Sequence, residues 1–271
     1  VTDDAATPGG PISKIDRSVP HSARIWNYWL GGTDNYDVDR AAGDAYCEAF
    51  PGIVHVARAS RHFLARSIRY LAQDAGVRQF LDVGTGLPTA DNTHQIAQRV
   101  APESRVVYVD NDPLVLLHAH ALLTSAPEGV TEYLEADLRD PAGILAAAGG
   151  TLDLTRPVGL ILSGILGHIE TYEEARDIVR RLMAGLPSGS YLSLNEGTDT
   201  DPEYLRAQNA YNASGAEPYR LRPLHEIEGF FDGLDLVPPG VVQVPRWRPD
   251  LAPTVERHDD IGQAGGVGRK P

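Results

Sequence analysis

The stretch Phe80-Leu81-Asp82-Val83-Gly84-Thr85-Gly86-Leu87-Pro88-Thr89 constrains this chain more than any other. It begins as a short apolar strand and passes into a tight, glycine-bearing turn. A helical pattern follows through Ile96, Ala97 and Val100. Strand, bare turn and helix in that order is how an open α/β sheet makes a ligand crevice, because backbone can approach a ligand where side chains are missing.

The rest of the chain repeats the theme. Buried strands are expected over 79–83, 105–110, 131–135, 158–164 and 190–195. Between them lie helical patterns. Val54 to Ala75 carries Leu64, Ile68, Leu71 and Ala75 on one face, with Arg58, Arg61, Arg66 and Arg69 between, and Gly76 ends it. Pro113 to Leu123 has Leu114, Leu117 and Ala121 on one face. Thr171-Tyr172-Glu173-Glu174 has capping-box spacing and opens a helix with Ala175, Ile178, Val179 and Leu182 inward. Such alternation is the signature of βαβ units and an α/β, doubly wound, mostly parallel sheet. Past Asn195 the pattern loosens. Asp201-Pro202 starts a helix through Tyr204, Leu205 and Tyr211, and Pro223 to Phe231 makes another, ended by Gly233. Leu234 to Val237 and Val241 to Val244 are short strand candidates around Pro238-Pro239-Gly240, and 261–269 is too rich in glycine for its composition to specify a strand.

Composition narrows the function classes. The 271 residues are 42% hydrophobic and 23% charged, ordinary for a soluble globular protein, and no run reaches the apolar length of a membrane span. Twenty-four Lys and Arg against 37 Asp and Glu give a net charge of −13, which argues against wrapping a nucleic-acid backbone. Cys47 stands alone, so neither a disulfide framework nor a cysteine-rich metal site is expected, and a reducing cytoplasm is the natural setting. The histidines show no zinc-protease spacing, and Ser163 lacks the glycine two residues before it that a nucleophile elbow requires.

The organisation is read as a disordered leader over 1–14, an N-terminal helical cap over 15–76, and an α/β domain over 77–271 with a helical insertion around 199–231. In the cap, Trp26, Tyr28, Trp29 and Tyr36 are interleaved with Asn, Asp and the hinge-like pair Gly31-Gly32. Such a segment suits either a lid over a pocket or the docking of a terminal helix.

Three acidic residues follow three successive strands: Asp82, Asp110 and Asp137. In a doubly wound sheet those strand ends line one crevice at the switch point. Asp110, about two dozen residues past the turn, is placed to take both hydroxyls of a ribose. Asp137 is within reach of an adenine amino group, and Asp82 faces the middle of the crevice, where a cationic amino group would sit. The third dinucleotide position is Thr89 rather than glycine, which disfavours an NAD-dependent reductase. Carboxylates without a pyrophosphate cradle suit an adenosine ligand with a cationic amino-acid tail, and that is S-adenosylmethionine.

Phe80 to Thr89, Val106 to Pro113 and Glu135 to Leu138 resemble the three cofactor-binding motifs of class I S-adenosylmethionine-dependent methyltransferases. More specifically, Ala23 to Tyr36, Val109-Asp110-Asn111-Asp112-Pro113, Phe230 to Val244 and Gly265 to Pro271 resemble the bacterial S-adenosyl methyltransferase family once catalogued as a domain of unknown function (DUF574). The resemblance implies a Rossmann-like, seven-stranded sheet with a reversed last strand, which would place that strand in Ile261 to Arg269. It implies cofactor contacts for Asp82, Gly84, Thr85, Gly86, Asp110 and Asp137. Asn111 and Leu138 would pack beside the adenosine, and Ser163 and Gly164 would border the methyl group. Candidate catalytic residues are His168, Glu196 and Tyr28, with His21 and Tyr36 able to reach over from the leader. The expected function is methylation of a small, apolar or aromatic acceptor by in-line displacement, with the helical segment around 199–231 walling the acceptor side. A non-catalytic sensor of the cofactor or its demethylated product is the rival. Ser163-Gly164-Ile165-Leu166 lacks the Asp/Asn-Pro-Pro-aromatic cluster of many enzymes that methylate nucleobase or glutamine amines, so neither nucleic acid nor membrane is expected as a partner.

Overall fold

Strands β1 (Gln79–Val83) and β4 (Gly159–Ser163) carry apolar side chains on both faces, so both must be covered above and below. They pair in parallel at the middle of one sheet in the computed structural model, which describes residues 16–88, 91–112, 114–115, 124–250 and 261–271. From β1 the chain steps outward through β2 (Arg105–Asp110) to β3 (Val130–Glu135). It then crosses back to β4 and steps the other way to β5 (Tyr191–Gly197). The direction therefore switches between β1 and β4. Two short strands follow, β6 (Asp235–Leu236) and β7 (Val242–Gln243), before β8 (Gln263–Arg269) inserts antiparallel beside β5. The order is β3-β2-β1-β4-β5-β8-β6, with β7 also paired to β8. This is the mostly parallel, seven-position sheet with a reversed last strand, its outer position divided between β6 and β7.

Helices cover both faces. Phe80 and Ile161 pack toward α3 (Ile53–Gln73) and α4 (Thr93–Val100), while Leu81, Leu160 and Leu162 pack toward α5 (Pro141–Ala148) and α6 (Tyr172–Ala184). Helix α5 is absent from the sequence reading. Its Pro-Ala-Gly-Ile-Leu-Ala-Ala-Ala run is apolar all round and shows no helical stripe, although Asp140 caps it by accepting the Gly143 N–H, with Pro141 in the first turn. The leader 1–14, Thr89 and the helix expected over 113–123, apart from the helical Leu114 and Val115, lie outside the described residues.

Helices α1 (Ser22–Trp29) and α2 (Asp37–Ala49) pack with each other, and α2 packs on α7 (Pro202–Asn212). A run of edge-to-face rings joins them: Trp29 to Tyr46 at 5.1 Å and Tyr46 to Tyr211 at 5.7 Å between centroids. Gly31-Gly32 forms a closely packed turn on the buried Asn27, whose Oδ1 accepts from Asp34 N and Asn35 Nδ2. Helix α8 (Leu224–Gly229) completes the described helices of 199–231. No helix among the described residues is long and apolar enough to cross a membrane.

Asp39 anchors the entry of the chain. Its carboxylate accepts from His21 N, Tyr36 N and the guanidinium of Arg24, and both charged side chains are almost fully buried. Breaking such a pair strands a buried charge. Asp39→Ala is accordingly expected to destabilise the fold by about 3 kcal/mol in denaturant titration. A change within 0.5 kcal/mol, roughly the effect of a surface substitution, would contradict this role.

Candidate active site

Past the carboxyl ends of β1, β2, β3 and β4 the chain encloses one cavity at the switch point. Asp82, Gly84, Thr85, Gly86, Asp110, Asn111, Asp137, Leu138, Ser163 and Gly164 all stand on its wall. The turn is shaped by two glycines in the left-handed region, Gly84 at φ 73° and Gly86 at φ 65°. A Cβ on Gly84 would come within 2.3 Å of Ile165 Cγ1, whereas one on Gly86 would meet nothing within 4 Å. The first glycine is therefore a packing requirement. Gly84→Ala is expected to cost about 2–4 kcal/mol of stability through strain and overlap together. An unchanged melting temperature would contradict that reading.

Asp82 is 5% exposed, and its Oδ2 accepts from Thr93 Oγ1 at 2.5 Å. Burial pushes its carboxyl up to about 6, against the pull of Thr93 and of the Arg61 guanidinium. Asp110 accepts Gly86 N at 2.9 Å and Asp112 N at 3.0 Å, so it braces the glycine turn from the next strand; burial raises it as well. Asp137 is half-exposed and accepts from Arg139 N at 2.8 Å. Two desolvated carboxylates and a third at the rim make a crevice in which a cation would be welcome.

The three proposed catalytic side chains part company. His168 lies on the wall, at the end of the 3-10 turn Leu166–His168. Its Nδ1 is 2.9 Å from the Pro218 carbonyl, which can only accept, so the neutral ring keeps its proton on Nδ1 and a lone pair on Nε2. Glu196 is not on the wall. It is fully buried, and it accepts from Leu166 N, Gly167 N and Tyr219 Oη at 2.8, 3.2 and 2.5 Å. It is not solvated, and it holds the turn that carries His168. Tyr28 points outward and donates to Asp44 at 2.7 Å, while its neighbours Trp26 and Trp29 face the cavity. His21 reaches the wall; Tyr36 instead lies under the Arg17 and Arg24 guanidinium groups.

Several wall residues are invisible to sequence reasoning. Arg61 reads as one of four solvent-side arginines of α3, yet it stands on the wall, close enough to Asp82 for the two charges to shift one another. Ser60, Tyr204, Tyr211, Tyr219 and Gln263 reach the cavity from elements remote in sequence. Tyr204, Tyr211 and Tyr219 lie in the 199–231 segment expected to wall the acceptor side, and Ser60, on the buried stripe of α3 with Val56, Ala57, Phe63 and Leu64, is a polar residue where the helix period calls for an apolar one; Gln263 carries no signal. No group of three or more His, Cys, Asp or Glu that could hold a metal occurs among the described residues.

Comparison with known proteins shows the family. The family model described as S-adenosyl methyltransferase matches residues 9–271. A DUF574 family protein from Streptomyces avermitilis superposes with a TM-score of 0.88 at 50% identity, over 94% of this chain and 99% of that one. A candidate methyltransferase from Thermobifida fusca gives 0.85 at 38%, over 94% and 96%. An O-methyltransferase family 2 protein from Planctomyces limnophilus, crystallised with apigenin, shares the fold alone, with a TM-score of 0.50 at 16% identity over 87% of this chain and 67% of that one. No curated protein matches. A family match over nearly the whole sequence, with two solved relatives well above the identity at which fold and family part, means that the chain belongs to the S-adenosyl methyltransferase family, whose members depend on S-adenosylmethionine.

Proposed function

We propose that the chain binds S-adenosylmethionine at this crevice and methylates a small, largely apolar or aromatic acceptor. The observation that carries the proposal is the convergence of Asp82, Asp110 and Asp137 on one cavity above a turn with left-handed glycines at 84 and 86. The open space over Gly86 fits a ligand whose backbone contacts are close, and the desolvated carboxylates fit a ligand that brings positive charge and hydroxyl donors. In this reading Asp110 takes the ribose hydroxyls and Asp137 the adenine amino group. Asn111 and Leu138 pack beside the adenosine, Asp82 holds the tail ammonium, and Thr85 lines the turn. Arg61 is placed for the carboxylate of the same tail. Ser163 and Gly164 border the methyl group.

A bound S-adenosylmethionine would supply a methyl group already activated on a sulfonium. The chain's own residues therefore have to align the acceptor, exclude water and accept a proton where the acceptor carries one. Trp26 and Trp29 from α1 with Tyr204 and Tyr211 from α7 wall the side of the cavity suited to an acceptor, which gives the 15–76 and 199–231 segments the role of a cover. His168, whose Nδ1 proton goes to the Pro218 carbonyl, has its lone pair on Nε2 and is the group to take the proton.

Asp82 sets a pH dependence. The tail ammonium pairs with the ionised carboxylate, which in the free protein exists only above its own value of about 6. Affinity for S-adenosylhomocysteine should be flat above pH 7 and fall about tenfold between pH 7 and pH 5 in calorimetry, because a proton must leave before the ligand enters. Asp82→Asn should flatten the profile. An unchanged affinity in the wild type across that range would contradict the assignment. Transfer itself is tested by incubating the protein with methyl-labelled S-adenosylmethionine and a metabolite extract of the host. A labelled small molecule supports an enzyme, while tight binding of the cofactor with no label transferred supports a sensor.

A further inference from the structure

Among the described residues the cavity wall carries four carboxylates, and the cofactor reading uses three of them. The fourth is Glu217, on the segment between α7 and α8. That segment is tied down at its far end. Asn212, the last residue of α7, donates from Nδ2 to the Tyr219 carbonyl at 2.9 Å and accepts Tyr219 N at 3.0 Å, and His168 Nδ1 holds the Pro218 carbonyl. Glu217 is thereby presented at the rim of the cavity, 46% exposed. Its Oε2 lies 3.5 Å from Ser22 Oγ and 4.0 Å from His21 Nε2, and its Oε1 lies 4.0 Å from His168 Nδ1. Neither imidazole is close enough to hydrogen-bond it, and the His168 Nδ1 proton already goes to Pro218. No Lys or Arg among the described residues comes within 4.0 Å of it. The two guanidinium groups on the wall serve the cofactor end instead: Arg139 lies 3.6 Å from Asp137, and Arg61 acts on Asp82.

Around this carboxylate the wall is aromatic. Trp26 stands one turn along α1 from Ser22, on the same helix face. The Tyr219 ring meets His168 edge-to-face at 5.2 Å between centroids. The Tyr211 hydroxyl, raised first by burial, is raised further by the Glu217 charge. A carboxylate without a Lys or Arg partner, set among electron-rich rings, suits an ammonium group: the charge attracts it and the rings replace part of its water. A phenolate or a carboxylate would be repelled there. We propose that Glu217 is a specificity-determining residue of the acceptor site, and that the acceptor is an aromatic compound carrying a protonated amine, with its ammonium on Glu217. The inference rests on the aromatic-acceptor reading above and adds the functional group. The rings supply affinity for the aromatic part; Glu217 supplies discrimination by charge. The chain's net charge of −13 favours the approach of such a cation as well.

The test is equilibrium dialysis of the full chain at pH 7.5, saturated with S-adenosylhomocysteine, against 2-phenylethylamine and its neutral counterpart 2-phenylethanol. Saturation occupies the three cofactor carboxylates, so the remaining discrimination by charge falls on Glu217. The wild type should prefer the amine by about fivefold or more, the value of a charge-assisted hydrogen bond discounted for the partial exposure of Glu217. The preference should shrink in about 0.5 M sodium chloride, because a rim charge is screened. Glu217→Gln keeps the shape and removes the charge. It should bind 2-phenylethanol as before and reduce the preference to within about twofold. Equal binding of the two probes by the wild type, or a preference that survives Glu217→Gln, overturns the ammonium subsite and leaves the aromatic cavity standing. If neither probe binds although S-adenosylhomocysteine does, the aromatic-acceptor reading fails and takes the subsite with it.

Discussion

Alanine at position 110 is expected to weaken S-adenosylhomocysteine binding by tenfold to a hundredfold, roughly 1.4–2.8 kcal/mol, for two lost charge-assisted hydrogen bonds. The carboxylate is already desolvated and already oriented: the Gly86 and Asp112 N–H groups hold its two oxygens from either side. A ligand hydroxyl arriving there meets an acceptor that needs no reorganisation, so the loss falls on affinity rather than being recovered by solvent. Alanine also releases the Gly86 N–H, and a change in fold must be separated from a change in contact. Asp110→Asn provides the control, since an amide oxygen can still hold one of the two N–H groups while the charge is gone. Calorimetry at pH 7.5 should place Asn between the wild type and Ala. Equal affinities in all three would remove Asp110 from the site.

The largest effect on stability is expected at Glu196. Its carboxylate satisfies two turn N–H groups and the Tyr219 hydroxyl inside the protein, with Arg222 close by. Glu196→Ala leaves three buried donors without a partner, and the expected loss is about 3 kcal/mol or more in urea titration. Burial pushes this carboxyl up to about 7, from an ordinary 4.5, against the pull of those donors. The raised value fixes the sign of the pH effect. The folded state binds the proton better than the unfolded chain, so the stability contributed by the protonated form is fully present below pH 4.5 and is lost as pH rises through 7. The gap between wild type and Glu196→Ala should therefore be wider at pH 5 than at pH 8. A gap that widens toward high pH would mean that the carboxyl is held ionised. Because the 3-10 turn carries His168, the variant should also lose methyl transfer more than cofactor binding.

What the sequence reveals and what it conceals divide along physical lines. The parallel strands are legible because β1, β2 and β4 are covered on both faces and so read as unbroken apolar runs. The carboxylates are legible because a strand end and a glycine turn fix where the next side chain must point. β8 is not, since its composition argues against a strand. Gly265 is there because a Cβ would fall 2.6 Å from the Leu194 carbonyl and from Asn195 Cβ, and only the family resemblance supplied that strand. Glu196 illustrates a different limit. An acidic residue after a strand suits the crevice as well as the interior, and strand alternation sent this one to the α5 and α6 side with its neighbour in register, Ala264. Gln263, Tyr204 and Tyr219 meet the cavity through contacts between elements far apart in the chain, and no local pattern records those.

The most direct test of the central claim is a crystal structure of the full chain with S-adenosylhomocysteine. The ribose should lie on Asp110, the adenine beside Asp137 and Leu138, and the tail amine facing Asp82 above the Gly84–Gly86 turn. Ligand bound elsewhere, or an adenosine that leaves Asp110 untouched, would contradict it.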